Sequence, residues 1–414
     1  MSQPASAAPR EGAIARPGEG WRLFMLLGGL FMNGLVPMPM VPAMPAMARE
    51  LGGGYDGQLI AQMVMALPGF MLVIGGLLAG PLVAWFGKRT VIQVAATSFA
   101  LFGLAGLIAP SLPVLFAARL LVGTAAGCCA SVIVSLIGDF YDSIGRVRVL
   151  GWGSAVGGIA SSGSLILSGV LVDHFGWRAP FVIYAISLLM LLAVHRVVPA
   201  GVAAVAASRP PASLRSTLRL VGETLAPTWY LLVLLTLSSI GLFTMSTQGP
   251  FLLQAIDITS ATAQGLILSA GTLASVLSAT FAFWLRQRMQ PVTMLMVSLG
   301  GLGVWLIACG LVRGVPLITA MDVLVGLFAG FAVPTFKGTI LDRTPEPGRT
   351  LAAGLMTGAI FAGQGLAPFV ITPFSRAFGV QGAFVAVGVV FATGVAALLM
   401  YRLVRPRAAA QPAE

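Results

Sequence analysis

The sequence predicts an all-α membrane protein with twelve transmembrane helices in two pseudo-symmetric six-helix bundles. Three observations carry that expectation. The 414 residues are 57% hydrophobic and only 9% charged, against about 25% charged in soluble domains, so lipid must be the solvent for much of the surface. Apolar stretches of about 20 residues, enough to cross a bilayer, recur twelve times. The second half of the chain also repeats the first at a fixed offset.

The spans fall near 22–46, 58–79, 90–109, 112–136, 149–171, 179–199, 229–249, 262–284, 291–312, 315–336, 351–373 and 381–402. The one long polar interval between spans, 200–228, separates six helices from six. The chain therefore divides into a disordered tail (1–20), a first bundle (21–199), a linker (200–228), a second bundle (229–403) and a closing tail (404–414). The opening residues, MSQPASAAPREGAIARPGEG, are polar and rich in Pro, Gly and Ala. The apolar stretch behind them is too long for a signal-peptide core and reads as an uncleaved first span.

An even number of spans puts both ends on one side. Nineteen of the 24 Lys and Arg lie in the tails and in loops 2–3, 4–5, 6–7, 8–9 and 10–11. The opposite loops carry Arg49, Arg178, Arg313 and Arg376, and Arg119 lies inside a span. The positive-inside rule makes both termini cytoplasmic and predicts a bacterial-type inner (plasma) membrane protein. The formal net charge of +11 is then a matter of topology, and nucleic acid is not an expected partner. Lys88, Arg89, Arg286 and Arg288 fix topology and meet anionic lipid headgroups. Arg209, Arg215 and Arg219 of the linker belong to a surface helix.

The repeat is read without gaps from span 4 through loop 5–6. LPVLFAARLLVGTAAG starts at Leu112 and VPLITAMDVLVGLFAG at Val315, and the matching residues differ by 203 throughout. The same offset links Asp139, Gly145, Arg146 and Gly151 to Asp342, Gly348, Arg349 and Gly354. It also links Phe175, Gly176 and Phe181 to Phe378, Gly379 and Phe384. Parallel six-helix halves related by an axis along the membrane normal are a transporter architecture, with the substrate site between them near mid-depth.

Chemistry of other kinds has little to use. Cys128, Cys129 and Cys309 lie in apolar runs, and the only histidines are His174 and His195. There is no metal-ligand set, nucleophile motif or cofactor loop, so no cofactor, no metal and no enzyme activity are expected. The 51 glycines, against a usual share of about 7%, let helices approach closely. Gly151, Gly153, Gly157, Gly158 and Gly163 of span 5 are read as packing positions with some part in motion.

Ionisable groups inside a span are costly, about 2.5–3.5 kcal/mol on insertion scales. Two lie well inside: Arg119 in span 4 and Asp322 in span 10, at equivalent positions of the repeat. Each is about 10 Å from its span's starting end at 1.5 Å per residue. Three readings compete for Asp322: a proton-coupling carboxylate, a structural or gating ion pair with Arg119, and a carboxylate reaching toward water. Burial favours its protonated form and a nearby cation its ionised form, so proton and substrate can compete for it. Arg119 reads either as a cavity group that binds anions or tunes Asp322, or as a packing arginine bonded to backbone carbonyls. Asn33, Gln62, Ser238, Thr244, Gln248, Gln264 and Gln364 are substrate-binding candidates, each equally able to bond a neighbouring helix. Met38, Met40, Met44 and Met47 either adapt to apolar ligands or fill space.

Several segments resemble motifs of the major facilitator superfamily, and the resemblance covers essentially the whole chain. Gly80-Pro-Leu-Val-Ala-Trp-Phe-Gly87-Lys88-Arg89 resembles its signature loop. Arg119-Leu-Leu-Val-Gly123-Thr-Ala-Ala126 resembles its arginine motif, and Asp173-His-Phe-Gly176-Trp177-Arg178-Ala-Pro-Phe181 its DxxGWRxxF turn. PAMPAMARELG, ending span 1, also fits. The closest likeness is to the twelve-helix drug:proton antiporters. Three departures stand out: Ala84 where the signature loop has an aspartate, Ser161-Ser162-Gly163-Ser164-Leu165 where span 5 has a Gly-Pro motif, and Asn33 where span 1 often has an acid. Without the aspartate at 84, Arg146 must find another partner or solvent.

The resemblance implies a secondary active transporter working by alternating access, with a gating loop that includes Gly80, Gly87, Lys88, Arg89 and Arg146. It also implies proton-coupled export, a small-molecule substrate and a monomer. A cavity poor in charge suits fairly apolar molecules. The first alternative is uptake of small organic acids with Arg119 as the anion site. The second is a lipid-handling or signalling protein on a transporter scaffold.

Overall fold

In lipid every backbone polar group must be satisfied within the protein, which leaves helices as the simplest way to cross. The computed structural model describes residues 19–198 and 214–404, and those residues are helical with no strand. Ten stretches are long and apolar enough to span a membrane. Two of them, Gly54–Ile108 and Leu351–Met400, run 55 and 50 residues, far beyond the roughly 20 that one crossing needs. Each is broken in the middle, at Gly87 (φ 78°) and at Gly379 (φ 73°). Positive φ is cheap only for glycine, so these two residues turn each long helix back into a pair. The described residues therefore make twelve crossings.

Span 1 is not the single helix that 22–46 suggested. It comprises Glu19–Leu35, a 3-10 turn Met38–Met40 and Met44–Glu50, because Pro37, Pro39, Pro42 and Pro45 remove successive backbone donors. Spans 2 and 3 share Gly54–Ile108; span 4 is Leu112–Phe140 and span 5 Ser143–Phe175. Span 6 starts as the 3-10 segment Ala179–Ser187 and continues as Leu188–Val197. The linker contributes the helix Leu214–Leu225, where Arg219 pairs with Glu223 at 2.7 Å. Arg209 and the tails at 1–18 and 405–414 lie outside the described residues.

Span 7 is Trp229–Leu242 followed by Thr244–Ala255, and span 8 is Ala261–Arg288. Span 9 is Pro291–Leu311 and span 10 Val315–Arg343. Spans 11 and 12 share Arg349–Val404. Span 10 thus runs seven residues past the expected end at 336, and Lys337, counted with the loop, sits inside the helix.

The repeat is also a repeat of contacts. A Cβ on Gly123 would strike the Pro68 carbonyl, and one on Gly326 the Gly271 carbonyl. Gly127 meets Leu72 as Gly330 meets Ser275. Every partner keeps the 203-residue offset, so spans 2 and 8 join a duplication legible in sequence only from span 4 onward. Gly176 (φ 83°) and Gly379 (φ 73°) end spans 5 and 11 in the same backbone conformation.

The halves meet along two seams, span 5 against span 8 and span 2 against span 11. Loops 2–3, 4–5, 8–9 and 10–11 lie at one end of the bundle, called below the basic face. The closest approaches between halves run from the opposite face inward, as far as Gly158 with Val276 and Gly358 with Val73. Farther toward the basic face, Gly151 and its repeat equivalent Gly354 face open space. Contacts across the seams thus run from the opposite face, where Asp173 meets span 8 and Arg376 meets Asp56, to Gly158 and Gly358, and we read the bundles as parting beyond them toward the basic face.

Candidate functional site

Arg119 is fully buried and belongs to the first bundle alone. Its Nε donates to the Val64 carbonyl (2.8 Å), Nη2 to the Val36 carbonyl (2.8 Å) and Nη1 to the Tyr184 hydroxyl (2.7 Å). Tyr184 in turn donates to Val36 at 3.0 Å. One guanidinium therefore ties spans 1, 2, 4 and 6 at a point where span 1 has lost helical bonds. The ion pair with Asp322 is not formed: among the described residues neither group is in an ion pair with any other. The arrangement is that of the packing arginine, since each bundle has closed around its own ionisable residue.

Asp322 is 3% exposed and points across span 10 at span 8. Its carboxyl lies against the Gly271 backbone, where a Cβ would overlap it. Its Oδ2 has no hydrogen-bond partner. Glycine at 271 and at 326 brings the two helices close enough for a short acid to reach a neighbouring backbone. The other side of span 8 forms the seam with span 5 through Gly265 and Val276.

The seam between spans 2 and 11 is polar but uncharged at depth. Thr372 donates to Gln62 Oε1 at 3.1 Å, and Gln364 Nε2 faces Met65 Sδ at 3.8 Å. Gln62 Nε2 and Gln364 Oε1 are buried without partners, as are both amide atoms of Gln248 on span 7. Phe70 and Phe361 pack beside them, against Gly365 and Gly69. Asn33 Oδ1 is also unpartnered, whereas Gln264 Nε2 donates to Ile258 at 2.8 Å. Ser238 and Thr244 donate to their own helices, to Leu234 at 2.6 Å and Ile240 at 3.0 Å, and offer little to a ligand in this arrangement. Met40, Met44 and Met47 are core residues at 0% exposure. Ser161 and Ser168 of span 5 donate to Gly34 and Pro39 of span 1, so the serine stretch serves helix packing.

At the opposite face the seams end in two contacts that sequence reading missed. Asp173, ending span 5, caps the start of span 8: it accepts from Ser260 Oγ (2.8 Å), Ala261 N (2.8 Å) and Thr262 N (2.9 Å). Arg376, ending span 11, pairs with Asp56 in the first turn of span 2. Positions 173 and 376 are 203 apart, and that offset was the available signal. At the basic face Lys88 pairs with Asp139 and Arg89 donates to His195 Nδ1 at 2.8 Å. Arg146, without an acid at 84, donates to the Tyr141 and Gly138 carbonyls at 2.8 and 2.6 Å. Gly80 faces open space.

Two six-helix bundles hinged around a buried polar seam, sealed on one face and parted on the other, define a membrane transporter. The Major Facilitator Superfamily model matches residues 26–259 and 239–414, and the chain belongs to that family. Among curated relatives it is 30% identical to the puromycin resistance protein pur8 of Streptomyces alboniger, over 45% of this chain and 38% of that one. It is 26% identical to the niacin transporter NiaP of Acinetobacter baylyi, over 32% and 30%. The chain thus matches well under half the length of these relatives. A D-xylose–proton symporter structure superposes with a TM-score of 0.73 at 13% identity, covering 93% of this chain and 97% of that one. This last likeness concerns the fold.

Proposed function

We propose that this transporter is a proton-driven exporter of small, fairly apolar molecules working by alternating access. Asp322 carries the reading. It is a carboxyl buried within a span without a counter-cation, pressed on the helix whose other side forms the seam with span 5. Burying a lone charge is costly, and a bound proton removes that cost. Release requires water, which enters only when helices part, so the proton on Asp322 and the arrangement of the bundles are linked. By the positive-inside rule the basic face is cytoplasmic, which makes the arrangement inward-facing and puts both termini in the cytoplasm of a bacterial-type inner membrane.

Substrate enters between the parted halves and meets the seam. Unpartnered amides of Gln62, Gln248 and Gln364 supply hydrogen bonds there, and Met65, Phe70 and Phe361 supply apolar walls. A seam without charge at depth suits a largely apolar molecule better than a sugar or a phosphate. The resistance role in the name pur8 supports export. The name NiaP supports a second reading, uptake of small organic acids. The protein works as a monomer among membrane lipids, and nothing in its side chains calls for enzyme chemistry.

The test is growth of an efflux-deficient bacterial host on a panel of toxic compounds, with wild type, Asp322→Asn and empty vector at matched membrane expression. Protection by wild type that is lost in Asp322→Asn is the expected result. Protection kept by the mutant sinks Asp322 as the coupling group. No protection against any compound turns the reading toward uptake.

A further inference from the structure

We propose that Lys337 is an anion-recognition site in the opening at the basic face, and that the ligand it takes is a monoanion, most simply a carboxylate on an apolar body. The proposal rests on the transport reading and names the substrate class more closely.

Lys337 lies six residues before the end of span 10 at Arg343, about 9 Å inside the helix at 1.5 Å per residue. From Met321 to Leu341 every other residue of the span is buried or half-buried, and Lys337 alone is exposed. Span 10 packs against spans 7, 8 and 9 and against the helices of spans 11 and 12, and no first-half helix packs along it among the described residues. We place the uncovered sector on the side of the other half, where the bundles part. Its neighbours Phe336, Thr339 and Ile340 are buried, so Lys337 stands at the edge of packed protein.

The ammonium has no partner. Lys337 takes part in no ion pair or side-chain hydrogen bond among the described residues. Three acids near this face are already paired: Asp342 with Arg286, Asp139 with Lys88 and Glu223 with Arg219. An unpaired cation in a membrane-spanning segment marks a ligand or ion path by default. The alternative anion site is closed, because Arg119 is fully buried and bonded through all three nitrogens. Lys337 is the one exposed cation between Met321 and Leu341 of span 10, and one cation within the span matches one negative charge. Two sources offer that chemistry: a soluble carboxylate entering the opening, or an anionic phospholipid headgroup reaching in from the leaflet.

The experiment measures binding of radiolabelled benzoate to the purified full-length chain at pH 7, with benzamide as the neutral competitor, in wild type, Lys337→Gln and Lys337→Arg. The variants are first matched to wild type for monodispersity and melting temperature. The expected result is benzoate binding that benzamide does not displace. Lys337→Gln should weaken it about tenfold or more and Lys337→Arg far less, as a charge-assisted bond requires.

In a second arm, native mass spectrometry follows retention of phosphatidylglycerol against phosphatidylcholine. Phosphatidylglycerol retention lost in Lys337→Gln, with no benzoate binding, supports the site and assigns it to a headgroup. Benzoate binding and lipid retention that both ignore Lys337→Gln overturn it. Flux separates this failure from that of the transport reading. Lys337-dependent benzoate binding with no flux of any panel compound sinks the transport mechanism alone. Flux with Lys337-independent anion binding sinks the site alone.

Discussion

Replacing Asp173 with asparagine removes one formal charge and one of two acceptor oxygens from the seal opposite the basic face. Three hydrogen bonds converge on that carboxylate, from Ser260 Oγ, Ala261 N and Thr262 N at 2.8, 2.8 and 2.9 Å. They join the end of span 5 to the exposed N–H groups that begin span 8, so the carboxylate also meets the positive end of that helix. The site is exposed to water, which discounts each bond. We take about 0.3–0.7 kcal/mol for each of two lost bonds and a similar amount for the helix-end charge, or about 1–2 kcal/mol in all.

That energy holds the sealed arrangement, so its loss should raise the share of molecules open at this face by about 5–30-fold. The Arg376–Asp56 pair has side chains 49% and 83% exposed and should contribute less, about 0–1 kcal/mol. Spin labels on cysteines placed at Phe175 and Leu317, both exposed, would report the separation of the halves by double electron–electron resonance. The longer-distance population should grow in Asp173→Asn and grow less in Arg376→Gln. An unchanged distribution in Asp173→Asn, or a larger shift in Arg376→Gln, would refute the reasoning.

Asp322→Asn should abolish proton-driven movement while leaving substrate exchange intact, which counterflow in proteoliposomes would measure. Arg119→Ala should act on stability and not on substrate preference. It strands the Val64 carbonyl and takes one of two partners from the Val36 carbonyl and from the Tyr184 hydroxyl, at a cost of about 3–5 kcal/mol, read as loss of monodisperse protein on size-exclusion chromatography. Gly326→Ala pushes a methyl into the Gly271 carbonyl and should cost about 1–3 kcal/mol, read as a lower melting temperature in detergent. Gly379→Ala forces a Cβ into positive φ and should cost about 1 kcal/mol. Its melting temperature should fall modestly, with the fold kept.

The twelve crossings were legible because lipid imposes one strong rule on composition and length. The duplication was legible from span 4 because its side chains persist there. It had faded in spans 2 and 8, where Pro68 and Gly271 share only a backbone approach, which any small or flat residue preserves. Arg119 could not be assigned to a cavity or to packing, because a helix apolar on every face gives no sign of which way one side chain points. The Asp173 cap was hidden because its partners are main-chain N–H groups. Lys337 was misplaced by a few residues, since hydropathy marks where the apolar run stops and says nothing of where the helix does.

The two seals also bear on how the chain can be assembled. Position 173 is an acid set against a helix start; its counterpart, position 376, is a base set against an acid. A pair of first halves would set an aspartate against Asp56, and a pair of second halves would set an arginine against the N–H groups that begin span 8. Each self-pairing repels at both of its latches, which are identical in a pair of like halves. The two halves fit only each other. Split halves expressed together should therefore reassemble as mixed pairs, and neither half can replace the other.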